Sequence, residues 1–291
     1  MIKLSEKQKI INETLEKDYL IKYAKGTSSN TNKFHFHDLY EIYFSLSDNI
    51  KCFINDKVYD VSYGDVFLFS PTDFHKIVAS GNAEYERYFI LFNPIYIQYL
   101  STQETDLLKC FSGRESDSTP VIHLDNADSK RFTKLLDKAL YFSNLKNFGD
   151  DIYKKITLGE ILIMTSKNYD NKNFTPCSTS VSSYNKISSI ITYIDSHLEN
   201  KLTLDLLSSN FFISKYYMET LFKSTTGLTV NEYIITKRIL RAKELLKKNL
   251  TVTLVSEMTG FNNYSHFIRT FTKMVHISPK QYSKKAIYAN F

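Results

Sequence analysis

The sequence predicts an α+β chain. A small β-barrel or sandwich comes first, two amphipathic helices follow, and an all-α C-terminal domain with two helix-turn-helix units ends it. Three observations predict this order. Short segments rich in Phe, Tyr, Val and Ile crowd residues 31–95. From about residue 126 the apolar residues switch to spacings of three and four. The last third repeats its own pattern and carries all of the excess positive charge.

The strands are expected in "KFHFHDLYEIYFSL", "IKCFIN", "KVYDV", "DVFLFSP" and "YERYFILFNP". Turn formers separate them at Ser47-Asp48-Asn49, Asn55-Asp56, Tyr63-Gly64-Asp65, Pro71-Thr72-Asp73 and Ser80-Gly81-Asn82. Many short, closely spaced strands suit a sandwich or barrel, placed here at residues 1–125. In the segment 126–170, Phe132, Leu135, Leu136 and Ala139 make one helical stripe. Ile152, Ile156 and Ile163 lie along a second helix. These two helices either cover the strands or pair with a second copy of the chain.

"NKNFTPCSTSVSS", residues 171–183, is polar and rich in Ser and Thr, and reads as a linker. Charge changes sign there. Residues 1–183 hold 22 Lys/Arg against 24 Asp/Glu, a net −2, and residues 184–291 hold 15 against 7, a net +8. The second part is therefore expected to meet a polyanion. Hydrophobic residues at 43% provide for a sizeable core. No run of about 18 apolar residues occurs, so no membrane-spanning helix is expected. The first 19 residues are too polar for a signal peptide. Cys52, Cys110 and Cys177 form no CxxC pair and read as reduced thiols of a cytoplasmic protein.

The C-terminal domain, residues 184–291, is punctuated by helix signals. Ile187, Ile190, Ile191, Ile194 and Leu198 mark a first helix. Thr203, Ser214, Thr229 and Asn263 stand where N-caps belong, Gly227 and Gly260 at helix ends, and Pro279 at a first helical position. Ser208, Ile213, Met218 and Phe222 are answered by Ser256, Phe261, Phe267 and Phe271, at an offset of 48 for the first two and 49 for the last two. One residue is inserted in the second turn. Each copy reads as short helix, tight turn, longer helix, the unit whose second helix enters a DNA major groove. On a helical wheel, Phe267, Phe271 and Met274 oppose Ser265, His266, Arg269 and Lys273, with Tyr264 at the edge. Met218, Leu221, Phe222 and Thr225 oppose Tyr216, Thr220 and Ser224, flanked by Glu219 and Lys223. A guanidinium can hold guanine O6 and N7, Ser or Thr can bond several bases, and Lys reaches phosphate.

Residues 184–285 resemble the AraC/XylS family of bacterial transcription regulators. The resemblance is carried by Thr226-Gly227-Leu228, the stretch Arg238 to Leu245, Gly260-Phe261, Phe267, Phe271 and Ser278-Pro279 with Tyr282. It implies a seven-helix domain that sets two recognition helices into successive major grooves of double-stranded DNA. The family's DNA-facing positions fall on Tyr216, Glu219 and Thr220, then on Tyr264, Ser265, His266 and Arg269. Departures are Ser208 and Ser256, where the family has Ala, and Ser283, where it has Arg. A serine at 208 is expected to bond a carbonyl of its own helix. "HFHDLYE" and "GDVFLFSPTDFH" are similar to cupin-type regulatory domains, which makes the strand region cupin-like.

His35, His37, Glu41 and His75 occupy the positions that bind a divalent metal in cupin enzymes, so a metal-dependent cupin enzyme or a metal sensor is the alternative reading. His35, His37, Glu41 and Tyr43 share one strand parity, and Phe34, Phe36, Ile42 and Phe44 the other. Parity alone does not decide which set lines the interior. Used instead for a small organic effector, the same interior is expected to be lined by His35, His37, Glu41, Tyr43, His75 and Tyr88, with Phe53. The expectation is a non-enzymatic regulator without a cofactor, an activator rather than a repressor. Its expected partners are operator DNA, RNA polymerase, an effector and a second copy of the chain, with no membrane.

Overall fold

The computed structural model describes residues 19–27, 39–55, 57–71, 73–79, 84–98, 100–111, 119–170 and 182–288. His35, His37, Cys177 and all but the end of the expected linker lie outside them. The strands and the first helices make one compact unit, and the helices from Ser182 onward make a second.

Among the described residues of the first unit the strands are β1 (Leu20–Gly26), β2 (Tyr40–Ser45), β3 (Ile50–Ile54), β4 (Lys57–Val61), β5 (Asp65–Phe69), β6 (His75–Ala79), β7 (Tyr85–Phe92) and β8 (Val121–His123). Among the described residues three helices join them: α1 (Pro94–Gln98), α2 (Asn126–Ser143) and α3 (Asp150–Asp170). Among the described residues the strands form two antiparallel sheets, ordered β1-β7-β2-β5-β8 and β4-β3-β6, rather than one closed ring. Asn49 and Asn55 take the left-handed turn conformation at φ 60° and 50°. At Gly64, φ is +91°, and a Cβ would sit 2.7 Å from Ser129 Oγ and 2.9 Å from the Leu124 carbonyl oxygen. Only glycine lets that turn lie against the start of α2.

The five-stranded sheet is covered on both faces. Tyr43, Phe67, Phe69, Tyr85 and Val121 pack with Ile50, Cys52, Ile54, Tyr59 and Ile77 of the smaller sheet. On the other face Ile42, Phe44, Val66, Leu68, Tyr88 and Ile90 meet Phe132, Leu136 and Ala139 of α2 and Leu158, Ile161 and Leu162 of α3. Every residue of β5 is therefore buried. The expected α2 stripe is the packed one, with Leu135 partly buried against it. Ile152, Ile156 and Ile163 are not part of that packing. They are exposed, together with Tyr141, Phe148 and Tyr153.

Strands β1, β6 and β8 stand outside the expected set. β1 alternates poorly because Lys22 and Lys25 fall on opposite parities of an edge strand. β8 is three residues long.

Among the described residues the second unit has seven helices: α4 (Ser182–Ser196), α5 (Leu204–Phe211), α6 (Lys215–Thr226), α7 (Val230–Lys247), α8 (Val252–Met258), α9 (Tyr264–Val275) and α10 (Pro279–Tyr288). Thr203, Ser214, Thr229 and Asn263 each accept a backbone N–H as N-caps, worth about 1 kcal/mol apiece. Glu232 closes a capping box on Thr229 at the head of α7. Helix α8 begins at Val252 and is capped by Thr251. Among the described residues no helix is long and apolar enough to cross a membrane.

The two turns of the repeat are built alike. In the first, the Ile213 N–H donates to the Ser208 carbonyl at 3.2 Å, and in the second the Phe261 N–H donates to the Ser256 carbonyl at 3.1 Å. Phe212 and Gly260, 48 residues apart, both take positive φ, 52° and 73°. Ser208 does not bond its own helix. Its hydroxyl reaches across the turn to the Ile213 carbonyl at 2.6 Å.

Only the second turn is crowded. A Cβ at Gly260 would lie 2.4 Å from the Leu198 carbonyl oxygen and 2.9 Å from Arg238 Nη2, whereas Phe212 is fully open to solvent. We predict that Gly260→Ala costs about 2–4 kcal/mol, from left-handed strain plus displaced backbone. Phe212→Gly should be neutral or stabilise by up to about 1 kcal/mol. Urea unfolding of both variants checks the pair, and equal losses would contradict it.

Candidate functional site

Helices α6 and α9 are the second helices of the two repeat copies. In α9, Phe267 and Phe271 are wholly buried against Ile239, Ala242, Leu245 and Leu246 of α7 and Val255 of α8. Their rings are 5.7 Å apart, and Phe271 meets Tyr282 of α10 at 5.7 Å. Burial of each ring contributes about 2–3 kcal/mol, which fixes the rotation of α9 about its axis. Tyr264, Ser265, His266, Arg269 and Lys273 are all left exposed. Tyr264, expected at the edge of the buried side, is about half exposed.

In α6, Met218, Phe222 and Thr226 are buried, and Phe222 packs on Tyr233 of α7 at 5.5 Å. Tyr216, Thr220, Lys223 and Ser224 are exposed, and Glu219 is partly so. Tyr216 is 83% exposed, far more than a tyrosine that packs on its own domain. Each helix thus turns one hydrogen-bonding face to solvent.

Helix α7 is held to the rest by charged groups with buried stems. Tyr233 Oη donates to Asp195 of α4 at 3.1 Å, and Lys237 Nζ pairs with Asp195 at 2.9 Å. Arg238 donates to the carbonyls of Leu198 and Asn200 at 2.9 and 2.7 Å while lying over Phe261 at 5.9 Å. Ser283 donates to the Leu246 carbonyl at 3.3 Å, so it ties α10 to α7. Arg238 and Gly260 were singled out in the sequence for their resemblance, and their role here is mechanical.

In the first unit, Glu41 and Tyr43 point between the sheets while Ile42 and Phe44 point at α2 and α3. The apolar parity faces the helices because that interface is as dry as the intersheet one. His75 is buried and stacks on Phe69 at 4.0 Å. Its Nδ1 lies 3.0 Å from the Asp73 carbonyl, to which it can only donate. Nε2 then faces Glu41 Oε2 at 3.4 Å. Of the four expected metal-ligating residues, the described residues bring Glu41 and His75 together. Among them no group of three donors forms.

Two expected lining residues stand elsewhere. Tyr88 faces the helices and donates to Asp137 of α2, because its even parity in β7 puts it on the far face. Burial, then the Asp137 carboxylate, push its phenol well above the usual tyrosine range. Phe53 is on the outer face of the smaller sheet, beneath Lys76 at 5.6 Å. Sequence reasoning missed Arg87, which shares the inward parity of Tyr85 on β7 and lies over its ring at 4.4 Å. A charged residue on the inward parity of an otherwise aromatic strand was the available signal.

Two family models match this chain. The AraC-like ligand binding domain matches residues 20–136, and the helix-turn-helix domain matches residues 207–285. The chain belongs to the AraC family. Among curated AraC-family relatives, it is 38% identical over 101 residues to the HTH-type transcriptional regulator YobQ of Bacillus subtilis, covering 34% of this chain and 42% of YobQ. It is 21% identical over 251 residues to the HTH-type transcriptional activator RhaR of Escherichia coli, covering 85% of this chain and 86% of RhaR. The solved C-terminal domain of the response regulator yesN from Fusobacterium nucleatum is 32% identical, covering 34% of this chain and 98% of that one at a TM-score of 0.33. The matched part spans less than half the length of the first curated relatives, 42% of YobQ and 38% of the probable regulator LumQ of Photobacterium leiognathi.

Proposed function

We propose that this AraC-family chain is a cytoplasmic, sequence-specific DNA-binding activator of transcription, not an enzyme, and that its cupin-like first unit holds an effector. One observation carries the reading. Helices α6 and α9 stand at equivalent places in a structural repeat, and each turns a polar face outward from an aromatic core. The segment that holds them has a net charge of +8, from 15 basic and 7 acidic residues. DNA-facing residues are then Tyr216, Glu219, Thr220 and Lys223 on α6, and Tyr264, Ser265, His266, Arg269 and Lys273 on α9. Glu219, which would repel phosphate, has a use as acceptor for a cytosine amino group. Effector binding would alter how the DNA-binding units are presented to the operator and to RNA polymerase.

The exposed stripe of α3 supports a homodimer. Ile152, Ile156 and Ile163, with Tyr153, leave apolar area open on a helix whose other side is fully packed. A second copy offering the same stripe would bury both.

Three outcomes are expected. Arg269→Ala weakens binding to the operator by about 1–3 kcal/mol and leaves binding to random duplex nearly unchanged, as measured by titration at fixed salt. Equal losses on both DNAs would make Arg269 a phosphate contact. Lys273→Ala lowers the slope of log K against log salt by about one unit, and an unchanged slope removes it from the interface. Ile152→Lys with Ile156→Lys yields monomers in sedimentation while circular dichroism stays that of the native chain. A dimer that survives would place the interface elsewhere.

A further inference from the structure

The buried side-chain atoms of the first unit that make no hydrogen bond within the required geometry include Tyr43 Oη and Arg87 Nη1. Tyr43 belongs to β2 and Arg87 to β7. The ladder sets Tyr43 opposite Phe89 and Ser45 opposite Arg87, so the two side chains are diagonal neighbours on one face of the sheet. That is the inward face, shared with Tyr85 and Phe67 and packed against Cys52 of the smaller sheet.

A guanidinium stays charged at any ordinary pH, so Arg87 cannot escape its environment by losing a proton. Its contact here is the ring of Tyr85, and among the described residues no carboxylate pairs with it. Glu86 is on the opposite parity, occupied by Tyr23 at 2.8 Å and Lys25 at 2.7 Å. Glu41 is inward but stands opposite Leu91, four residues or about 13 Å along β7, where it faces His75. Folding therefore brings a part-buried cation and a buried phenol together, with the Ser45 hydroxyl beside the phenol and, among the described residues, no carboxylate paired with the cation. Burial also raises the Tyr43 phenol well above its usual range, so it remains an O–H donor.

A cation without a carboxylate, beside a phenol O–H, is complementary to an ion that only accepts. The guanidinium fork fits two coplanar oxygens. The surrounding walls are apolar, with Tyr59, Phe67 and Ile77 among them. We propose that the intersheet interior binds an organic acid, its carboxylate held by the Arg87 guanidinium and the Tyr43 hydroxyl and its apolar body against those walls. The proposal rests on the reading of the first unit as an effector domain and assigns that effector a chemical class.

The test is thermal unfolding of the full chain at constant ionic strength, with 10 mM hexanoate, benzoate or phosphate as probes and hexanamide and benzamide as neutral controls. The wild-type midpoint should rise by about 3 °C with at least one carboxylate and stay put with both amides. Arg87→Met should unfold at the same temperature or higher without ligand, since it removes a part-buried charge that no carboxylate pairs with among the described residues, and should lose the response. Tyr43→Phe removes one oxygen atom. It should keep the fold and need at least threefold more carboxylate for the same shift.

Phosphate acting alone would overturn the carboxylate assignment. No response from either carboxylate, or an Arg87→Met chain that responds like the wild type, would overturn the site. Binding of the same samples to a labelled duplex at low salt separates the two readings. A wild-type chain that ignores DNA defeats the regulator reading whatever the acids do, and one that binds DNA but ignores the acids defeats the carboxylate site alone.

Discussion

The second unit depends on one helix. Near its head, α7 presents Tyr233 to Phe222 of α6 and to Asp195 of α4. Further along, Ile239, Ala242, Leu245 and Leu246 receive Phe267 and Phe271 of α9. Both copies of the repeat therefore pack on a single rod of 18 residues, about 27 Å long. A capping box starts that rod and Arg238 pins its middle to two carbonyls beyond α4. Because interiors are close-packed, a rotation of either outer helix would open voids around its phenylalanines. The polar faces of α6 and α9 are held by what lies behind them.

The first unit works under a different constraint. Its large sheet is buried twice, by the small sheet and by α2 and α3. A strand with two dry faces carries no alternation, so the polar residues that remain stand out. Glu41 and His75 form one such group, and Tyr43 and Arg87 another. Buried polar groups are costly unless something satisfies them. In the first, His75 is held by the Asp73 carbonyl and stands 3.4 Å from Glu41, whereas in the second Arg87 lies over the ring of Tyr85.

Much of this was legible in the chain. The repeat from Ser208 to Phe271 could be aligned by eye, and each copy appears with the same turn hydrogen bond. The caps Thr203, Ser214, Thr229 and Asn263 obey local chemistry, so local sequence announced them. Strands with turn formers between them were legible for the same reason. β1 was missed because an edge strand with lysines on both parities has no pattern to read. Tyr88 was assigned to the wrong side because parity tells which residues share a face and not what covers that face. His35 and His37 lie outside the described residues, so the four-ligand reading of the cupin-like motif rests on sequence.

The amino-acid sequence by itself determined the helices, their caps, the repeat and the charge that gathers around it, since each follows from neighbours within a few residues or from simple counting. Tertiary structure alone decided the rest. It turned Glu41, Tyr43 and Arg87 inward, left Ile152, Ile156 and Ile163 uncovered, and made Gly260 obligatory through the approach of Leu198. The physical reason is the same in each case: which face of an element is buried depends on elements far away in the chain, and no local pattern contains them.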